Sequence, residues 1–140
     1  MALNGWVLDK SAAARADDPV VAAQLGELAG SLFVCSVGEL EQLYSARSAA
    51  DYDALKALLH ASFQTVDAPA DIFERALRLQ QDLAHHHGMW HRTPIPDLLV
   101  AETALFHGLG VIHVDHDYEK IAEVRPLIAR RLVSELIDSG

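Results

Sequence analysis

The sequence contains one cysteine, few aromatic residues and no long apolar run in its 140 residues. Because Cys35 stands alone, an internal disulfide is excluded, and we interpret it as a small buried apolar residue of a strand. No apolar run approaches the ~20 residues of a membrane-spanning helix. The first residues carry neither a basic flank nor an apolar secretory core. These absences predict a cytoplasmic protein with no membrane association.

Basic residues are also scarce: 11 against 20 acidic ones, which gives a formal net charge of −9. Phosphate affinity comes largely from Lys and Arg, so this balance argues against broad, unselective binding to nucleic acid. It leaves open a local basic patch or metal-bridged contact with phosphate, and it suits a partner with a basic segment. No helix-turn-helix pattern or basic stripe is present, so we expect no direct DNA binding by this chain.

What the sequence does contain is an alternation of strand-like and helix-like segments. Pro19 and Pro96 stand at the first turns of two predicted helices, and Pro126 to Ile137 also has helical spacing. The alternation predicts a single α/β domain over residues 1–140, with helices on both faces of a parallel sheet. The short apolar runs that predict its strands are Trp6–Leu8, Leu32–Cys35, Phe63–Val66 and Val111–Val114.

Four acidic residues stand where such a fold would gather them. Asp9 and Asp115 end apolar strands, and Glu39 comes just after another strand. Asp97 lies in the first turn of a helix that runs antiparallel to the strands. The carboxyl ends of parallel strands form one edge of the sheet, where ligands bind. Carboxylates converging there would repel one another unless a hard cation lay between them.

Several of these residues have a purely structural alternative. Ser36 to Glu39 has the form of a capping box, and Asp97 suits the dipole of its own helix. Asp117 can be an N-cap for the helix that follows, or a metal ligand. Asp9 and Asp115 are harder to explain structurally, because a carboxylate that ends an apolar strand has no evident capping duty.

Four segments of the chain share a recognisable pattern: Leu8–Ala12, Val37–Leu40, Pro94–Ala101 and His113–Ala122. Together they resemble the PIN-domain ribonucleases, in particular the VapC toxins of bacterial toxin–antitoxin systems. The resemblance implies a three-layer α/β/α PIN-like domain whose central, mostly parallel sheet has four or five strands. It also implies a Mg²⁺-dependent endoribonuclease, with Mn²⁺ as a substitute, that hydrolyses RNA through metal-activated water.

The resemblance also implies roles for individual residues. The catalytic quartet would be Asp9, Glu39, Asp97 and Asp115. The metal ligands would be Asp9, Asp97, Asp115 and Asp117, the last as an accessory position. Products would carry a 5′-phosphate and a 3′-hydroxyl.

Substrate and partners follow from the same resemblance. Ser11, Lys10 and Arg92 would contact the RNA substrate, with Ser11 beside the first aspartate. The expected partners are a VapB-type antitoxin with a basic segment and a second copy of the chain in a homodimer. Glu102 departs from the family, in which a small residue is frequent at that position. The segment Pro126 to Gly140 departs too, because it looks more helical than the usual final strand.

Three other interpretations remain open. The histidines at residues 85–87, with His91, offer nitrogen ligands for Zn²⁺, although Gly88 interrupts the helix that would align them. A haloacid-dehalogenase-like phosphatase would carry a second aspartate where Ser11 stands. A noncatalytic PIN-like protein-binding module is the third interpretation.

Overall fold

The computed structural model of the chain describes residues 3–114 and 116–132. The strands are β1 (Trp6–Leu8), β2 (Leu32–Cys35), β3 (Gln64–Val66), β4 (Gly110–His113) and β5 (Ala129–Arg131). The helices are α1 (Lys10–Ala13), α2 (Pro19–Glu27), α3 (Ser36–Leu43), α4 (Ala49–Ser62), α5 (Ile72–His86), α6 (Ile95–Phe106) and α7 (Asp117–Ala122). A single 3-10 turn, Trp90–Arg92, precedes α6.

The strands form one sheet in the order β3-β2-β1-β4-β5, and every neighbouring pair is parallel. In the central strand β1, Val7 pairs with Phe33 on one side and with Val111 on the other. Because all five strands run the same way, their carboxyl ends lie on one edge. The predicted parallel α/β sheet is confirmed, and it has five strands within the described residues.

Both faces of the sheet are covered, so the molecule has three layers. Val7 and Val111 point into a core formed with α5, α6 and α7. Leu8 and Ile112, the next residue of each strand, point into a core on the opposite face formed with α1 and α2. This alternation of side-chain direction in a strand explains why β1 and β4 are apolar at consecutive positions. Cys35 is buried, as predicted.

The helix predicted from Pro126 onward is wrong for the residues that the structure describes. Ala129–Arg131 forms β5 and pairs with β4, with Val111 opposite Ala129. The Val111 N–H donates to the Ile128 carbonyl, so β5 satisfies backbone groups that β4 would otherwise leave open. Tertiary pairing thus overrides a weak helical pattern. Residues 133–140 lie outside the described part of the chain.

No helix among the described residues is long and apolar enough to cross a membrane.

Candidate active site

Asp9 lies at the centre of the carboxyl edge, directly after β1, and is 4% exposed. Its backbone N–H donates to the Ile112 carbonyl at 2.9 Å, which ties it to β4. Its Oδ2 accepts a hydrogen bond from the Ser11 backbone N–H at 2.9 Å, and its Oδ1 accepts one from the Tyr118 hydroxyl at 2.6 Å. Asp9 is therefore the N-cap of α1, so the expectation that it has no capping duty was wrong.

Asp97 approaches the same Tyr118 hydroxyl from a different helix. It lies in the first turn of α6 and is 8% exposed. Its Oδ1 is 3.3 Å from the Tyr118 hydroxyl that also bonds Asp9. The position suits the helix dipole, as one interpretation held, and the side chain nevertheless points at Asp9. The structure thus brings together two acids that are far apart in sequence.

Tyr118 lies between these two carboxylates and was not singled out by the sequence. Burial raises the pKa of its phenol well above the usual value, and the charges of Asp9 and Asp97 raise it further. The hydroxyl therefore keeps its proton and acts as a donor. Two buried carboxylates that face one donor form an anionic centre with little access to water.

Glu39 is engaged outside this pair. Its Oε1 lies 2.6 Å from His60 Nε2 on α4. The capping-box alternative is not what the structure shows, because Ser36 is already helical and Cys35 is the N-cap of α3, without a side-chain bond. The hydrogen bond of Glu39 instead joins α3 to α4.

A second acidic residue of α3, Glu41, interacts electrostatically with Asp9. Burial raises the pKa of Glu41, the nearby charge of Asp9 raises it further, and Lys10 lowers it. The signal in the sequence was Gly38, three residues earlier on the same helix face. Gly38 is buried, and a Cβ there would meet Cys35 Sγ at 3.6 Å, Val34 Cγ2 at 3.7 Å and the Leu8 carbonyl at 4.0 Å, which are ordinary van der Waals distances. This buried glycine lies on the face of α3 that packs against the sheet, and Glu41 follows it by about one turn.

The acids after β4 are described only in part. Asp115 lies outside the described residues. Asp117 is the first residue of α7, and its Oδ1 is 3.7 Å from Lys120 Nζ. The N-cap of α7 is His116, so the interpretation of Asp117 as the N-cap was wrong by one position.

Of the three residues expected to contact substrate, Ser11 is the most constrained. Its hydroxyl accepts a hydrogen bond from the Val114 N–H at 3.1 Å, while its own N–H holds Asp9. Ser11 thus joins the turn after β1 to the residue that follows β4.

Lys10 is exposed and lines a cavity of roughly 290 Å³ with Glu41. Arg92 is exposed on the 3-10 turn before α6.

Two of the histidines, His86 and His87, pack against the Trp90 ring. His87 stacks on Trp90 with ring centroids 5.1 Å apart, and the His86 ring lies 5.5 Å from the same indole. His86 Nε2 is also 3.9 Å from Glu123 Oε1. Across residues 3–114 and 116–132, no group of three or more His, Cys, Asp or Glu side chains is close enough to hold a metal. The histidines are among these residues, whereas Asp115 is not.

The donor atoms at the carboxyl edge suit a hard divalent cation. Mg²⁺ prefers oxygen ligands, and Mn²⁺ shares that preference. Asp9 and Asp97 supply buried carboxylates. Glu41 Oε1 is buried and has no hydrogen-bond partner in the described part of the chain. A buried carboxylate oxygen without a partner is costly, and a cation would offset that cost. The donor types present therefore suit an oxygen-ligated divalent ion, although the described carboxylates alone do not form a group of three.

A parallel sheet with buried carboxylates at its carboxyl edge is the arrangement expected of a PIN domain. Residues 6–124 match the family described as PIN domain, and the chain belongs to that family.

Within the family, the similar proteins are VapC ribonucleases, which confirms the resemblance seen in the sequence. Ribonuclease VapC17 of Mycobacterium tuberculosis (strain ATCC 25618 / H37Rv) is 56% identical over 127 residues, covering 89% of this chain and 92% of the relative. Ribonuclease VapC21 of the same strain is 37% identical over 121 residues, covering 85% of this chain and 87% of the relative.

Solved structures share the fold at low sequence identity. VapBC2 from Rickettsia felis, bound to a DNA fragment from its promoter, has a TM-score of 0.70 at 15% identity and covers 91% of this chain and 98% of its own. VapBC-5 from Mycobacterium tuberculosis has a TM-score of 0.65 at 20% identity and covers 92% of this chain and 99% of its own.

Proposed function

We propose that this chain is a Mg²⁺- or Mn²⁺-dependent endoribonuclease that acts as the toxin of a VapBC-type toxin–antitoxin system. The observation that carries the proposal is the pair of buried carboxylates, Asp9 and Asp97, that face one hydroxyl at the carboxyl edge of the sheet. The 56% identity to a relative named as a ribonuclease supports the same activity.

The proposed cation ligands are Asp9, Asp97 and Asp115, with Asp117 as an accessory position. For the acid supplied by α3 we favour Glu41 over Glu39, because the Glu39 carboxylate is paired with His60. When bound, Mg²⁺ or Mn²⁺ would lower the pKa of a coordinated water and offset charge on the scissile phosphate. The carboxylates keep the reacting groups in fixed relative positions, and no side chain of the protein has to act as a nucleophile.

We assign the binding of RNA to positively charged side chains at the rim of the site. Lys10 follows Asp9 directly and lies close enough to Glu41 to lower its pKa. Arg92 is exposed five residues before Asp97. Such local positive charge attracts phosphate even on a chain with a formal net charge of −9. We assign Ser11 to holding the Asp9 turn, because its hydroxyl and its N–H are both engaged within the protein.

The proposed inhibitor is a VapB-type antitoxin. Several of the similar solved structures are VapBC assemblies, which supports a partner of that kind. An arginine from a basic partner segment would pair with the Asp9 and Asp97 carboxylates in place of the cation. A homodimer is part of the same proposal. Phe73 and Leu77, exposed one turn apart on α5, offer apolar surface for a protein contact.

The test is cleavage of total cellular RNA by the purified protein with Mg²⁺, with Mn²⁺ and with EDTA. Wild type is compared with Asp97→Asn, which removes one charged ligand. Asp53→Asn is the matched control, because it makes the same change on the exposed surface of α4. We expect discrete, metal-dependent cuts with 5′-phosphate ends from wild type and the control, and none from Asp97→Asn.

Equal cleavage by all three proteins would contradict the assignment of the site. No cleavage by wild type, combined with tight binding of a partner protein, would favour the noncatalytic PIN-like module. Because the control shares the charge change, loss of cleavage in Asp97→Asn alone cannot be attributed to net charge.

A further inference from the structure

Tyr118 is a rigid part of the core beneath the proposed site. Its side chain is fully buried, in the cluster formed by the sheet with α5, α6 and α7. The ring lies 5.3 Å from the His113 ring, measured between centroids. A tyrosine packed on all sides has little rotational freedom, so the position of its hydroxyl is set by the fold.

The hydroxyl joins three elements of the structure. Tyr118 belongs to α7, Asp9 to the turn after β1 and Asp97 to α6. The hydroxyl oxygen is 2.6 Å from Asp9 Oδ1 and 3.3 Å from Asp97 Oδ1. It has one hydrogen, so the shorter distance makes Asp9 the main acceptor. Since Ser11 holds Asp9 Oδ2, both oxygens of that carboxylate are fixed.

We propose that Tyr118 is a positioning residue that presets the carboxylates of Asp9 and Asp97 for a divalent cation. This inference rests on the proposed function, because it concerns the same site. Two adjacent carboxylates without a bound cation repel each other and would turn apart. A shared donor opposes that rotation, so less reorganisation is needed when the cation binds. Loss of a partner that orients metal ligands typically costs about 10–100-fold in metal affinity or activity.

A tyrosine that only fills space makes a different prediction. Phenylalanine has the same ring and occupies nearly the same volume, so Tyr118→Phe preserves the packing and removes the hydroxyl alone. If the hydroxyl were irrelevant to the site, cation affinity would not change. Cation affinity therefore separates the two roles, whereas thermal stability alone does not.

The experiment measures binding of Mn²⁺ and Mg²⁺ in the absence of RNA, by electron paramagnetic resonance of free Mn²⁺ and by calorimetry. Wild type, Tyr118→Phe and the control Tyr52→Phe are compared, the control being a partly exposed tyrosine on α4. We expect Tyr118→Phe to weaken cation binding by about 10-fold or more, and Tyr52→Phe to match wild type. Unfolding in EDTA verifies that all three are folded.

A kinetic measurement gives a second readout. We expect the Mg²⁺ concentration for half-maximal cleavage to rise in Tyr118→Phe, with the KM for RNA unchanged and activity recovering at high Mg²⁺. Recovery at high metal is expected of a residue that acts through metal affinity. An unchanged metal requirement would overturn the proposal.

A spectroscopic measurement on wild type covers the case in which Tyr118→Phe does not fold. The chain has three tyrosines, and Tyr118 alone contacts the two carboxylates. Mg²⁺ should therefore produce a tyrosine difference spectrum that saturates with the binding constant and persists in Tyr52→Phe. Absence of this signal while Mg²⁺ binds would overturn the role of Tyr118 and leave the proposed function intact. Failure of wild type to bind either cation would overturn both.

Discussion

Glu39 Oε1 lies 2.6 Å from His60 Nε2, so the first acidic side chain of α3 is paired with α4. Glu41 is two residues further, about 200° around the helix axis. Its charge is coupled to that of Asp9, and one of its oxygens is buried without a hydrogen-bond partner in the described part of the chain. Because the two side chains leave the helix in nearly opposite directions, α3 can direct only one of them at the site.

We therefore predict that Glu41→Gln abolishes most cleavage and that Glu39→Gln does not. A partner that only orients a metal ligand costs about 10–100-fold when removed, so loss of a direct ligand should cost at least about 100-fold. Glu39→Gln should keep activity within a few-fold of wild type. Initial cleavage rates at fixed Mg²⁺ measure both variants, which lose the same charge.

The pair with His60 gives a control for this comparison. His60 is 47% exposed in its side chain, and an exposed side-chain pair contributes no more than about 1 kcal/mol. Glu39→Gln and His60→Ala should each lower the free energy of unfolding by no more than that. A large loss of cleavage in Glu39→Gln, with Glu41→Gln active, would reverse the assignment of the two residues.

The sequence predicted the sheet because buried parallel strands are apolar on both faces and therefore stand out as short apolar runs. It failed at Ala129–Arg131, because this edge strand is defined by the open backbone groups of β4. Pro126 begins the segment as it would begin a helix. The local sequence pattern cannot distinguish a helix from an edge strand when pairing with a neighbouring strand determines the conformation.

For the site, the sequence predicted which acids the topology would gather, and Asp9 and Asp97 do meet. It could not show how α3 is rotated about its axis, so it assigned Glu39 to the quartet without weighing Glu41, and that assignment stays a prediction. The bridging role of Tyr118 was also missed, because an aromatic residue at a helical position is ordinarily core. Both omissions depend on how helices are rotated about their axes, which spacing alone leaves open.

The buried carboxylate of Glu102 gives a prediction about stability and pH. Glu102 is 4% exposed, so it does not face solvent. The acids that contact the Tyr118 hydroxyl are Asp9 and Asp97, not Glu102. Burial raises its pKa, while Arg125 lowers it. Arg125 Nε is 3.5 Å from Glu102 Oε1, and Arg125 also bonds Asp82 at 2.8 Å. The arginine thus links α5, α6 and the segment after α7 and stabilises the charge of Glu102.

Arg125→Met should lower the free energy of unfolding by about 1–3 kcal/mol at neutral pH, because Glu102 loses its partner. The pKa of Glu102 is higher in the folded protein than in the unfolded chain. The contribution of its protonation to the free energy of unfolding is therefore fully present below the unfolded pKa and is lost as pH rises through the folded pKa. The deficit should therefore shrink in mild acid. Chemical denaturation at several pH values measures it.

Two further variants isolate this effect. Arg47→Met makes the same change at an exposed arginine just before α4, which is not among the charges that act on Glu102, and should change stability little. Glu102→Gln in the Arg125→Met background should remove most of the pH dependence of the deficit. A deficit that persists unchanged in mild acid would show that Arg125 acts through Asp82 or through packing instead.

Cation binding should also stabilise the fold. A ligand that binds only the folded state adds RT ln(1 + [L]/Kd), about 2.7 kcal/mol when its concentration is 100 times Kd. Wild type should therefore unfold at a higher Tm in Mg²⁺ than in EDTA. Asp97→Asn should be at least as stable as wild type in EDTA, because it removes repulsion with Asp9, and should gain little from Mg²⁺. Asp53→Asn should respond as wild type does. An equal rise in all three would place the stabilising ion elsewhere, since only Asp97→Asn alters the proposed site.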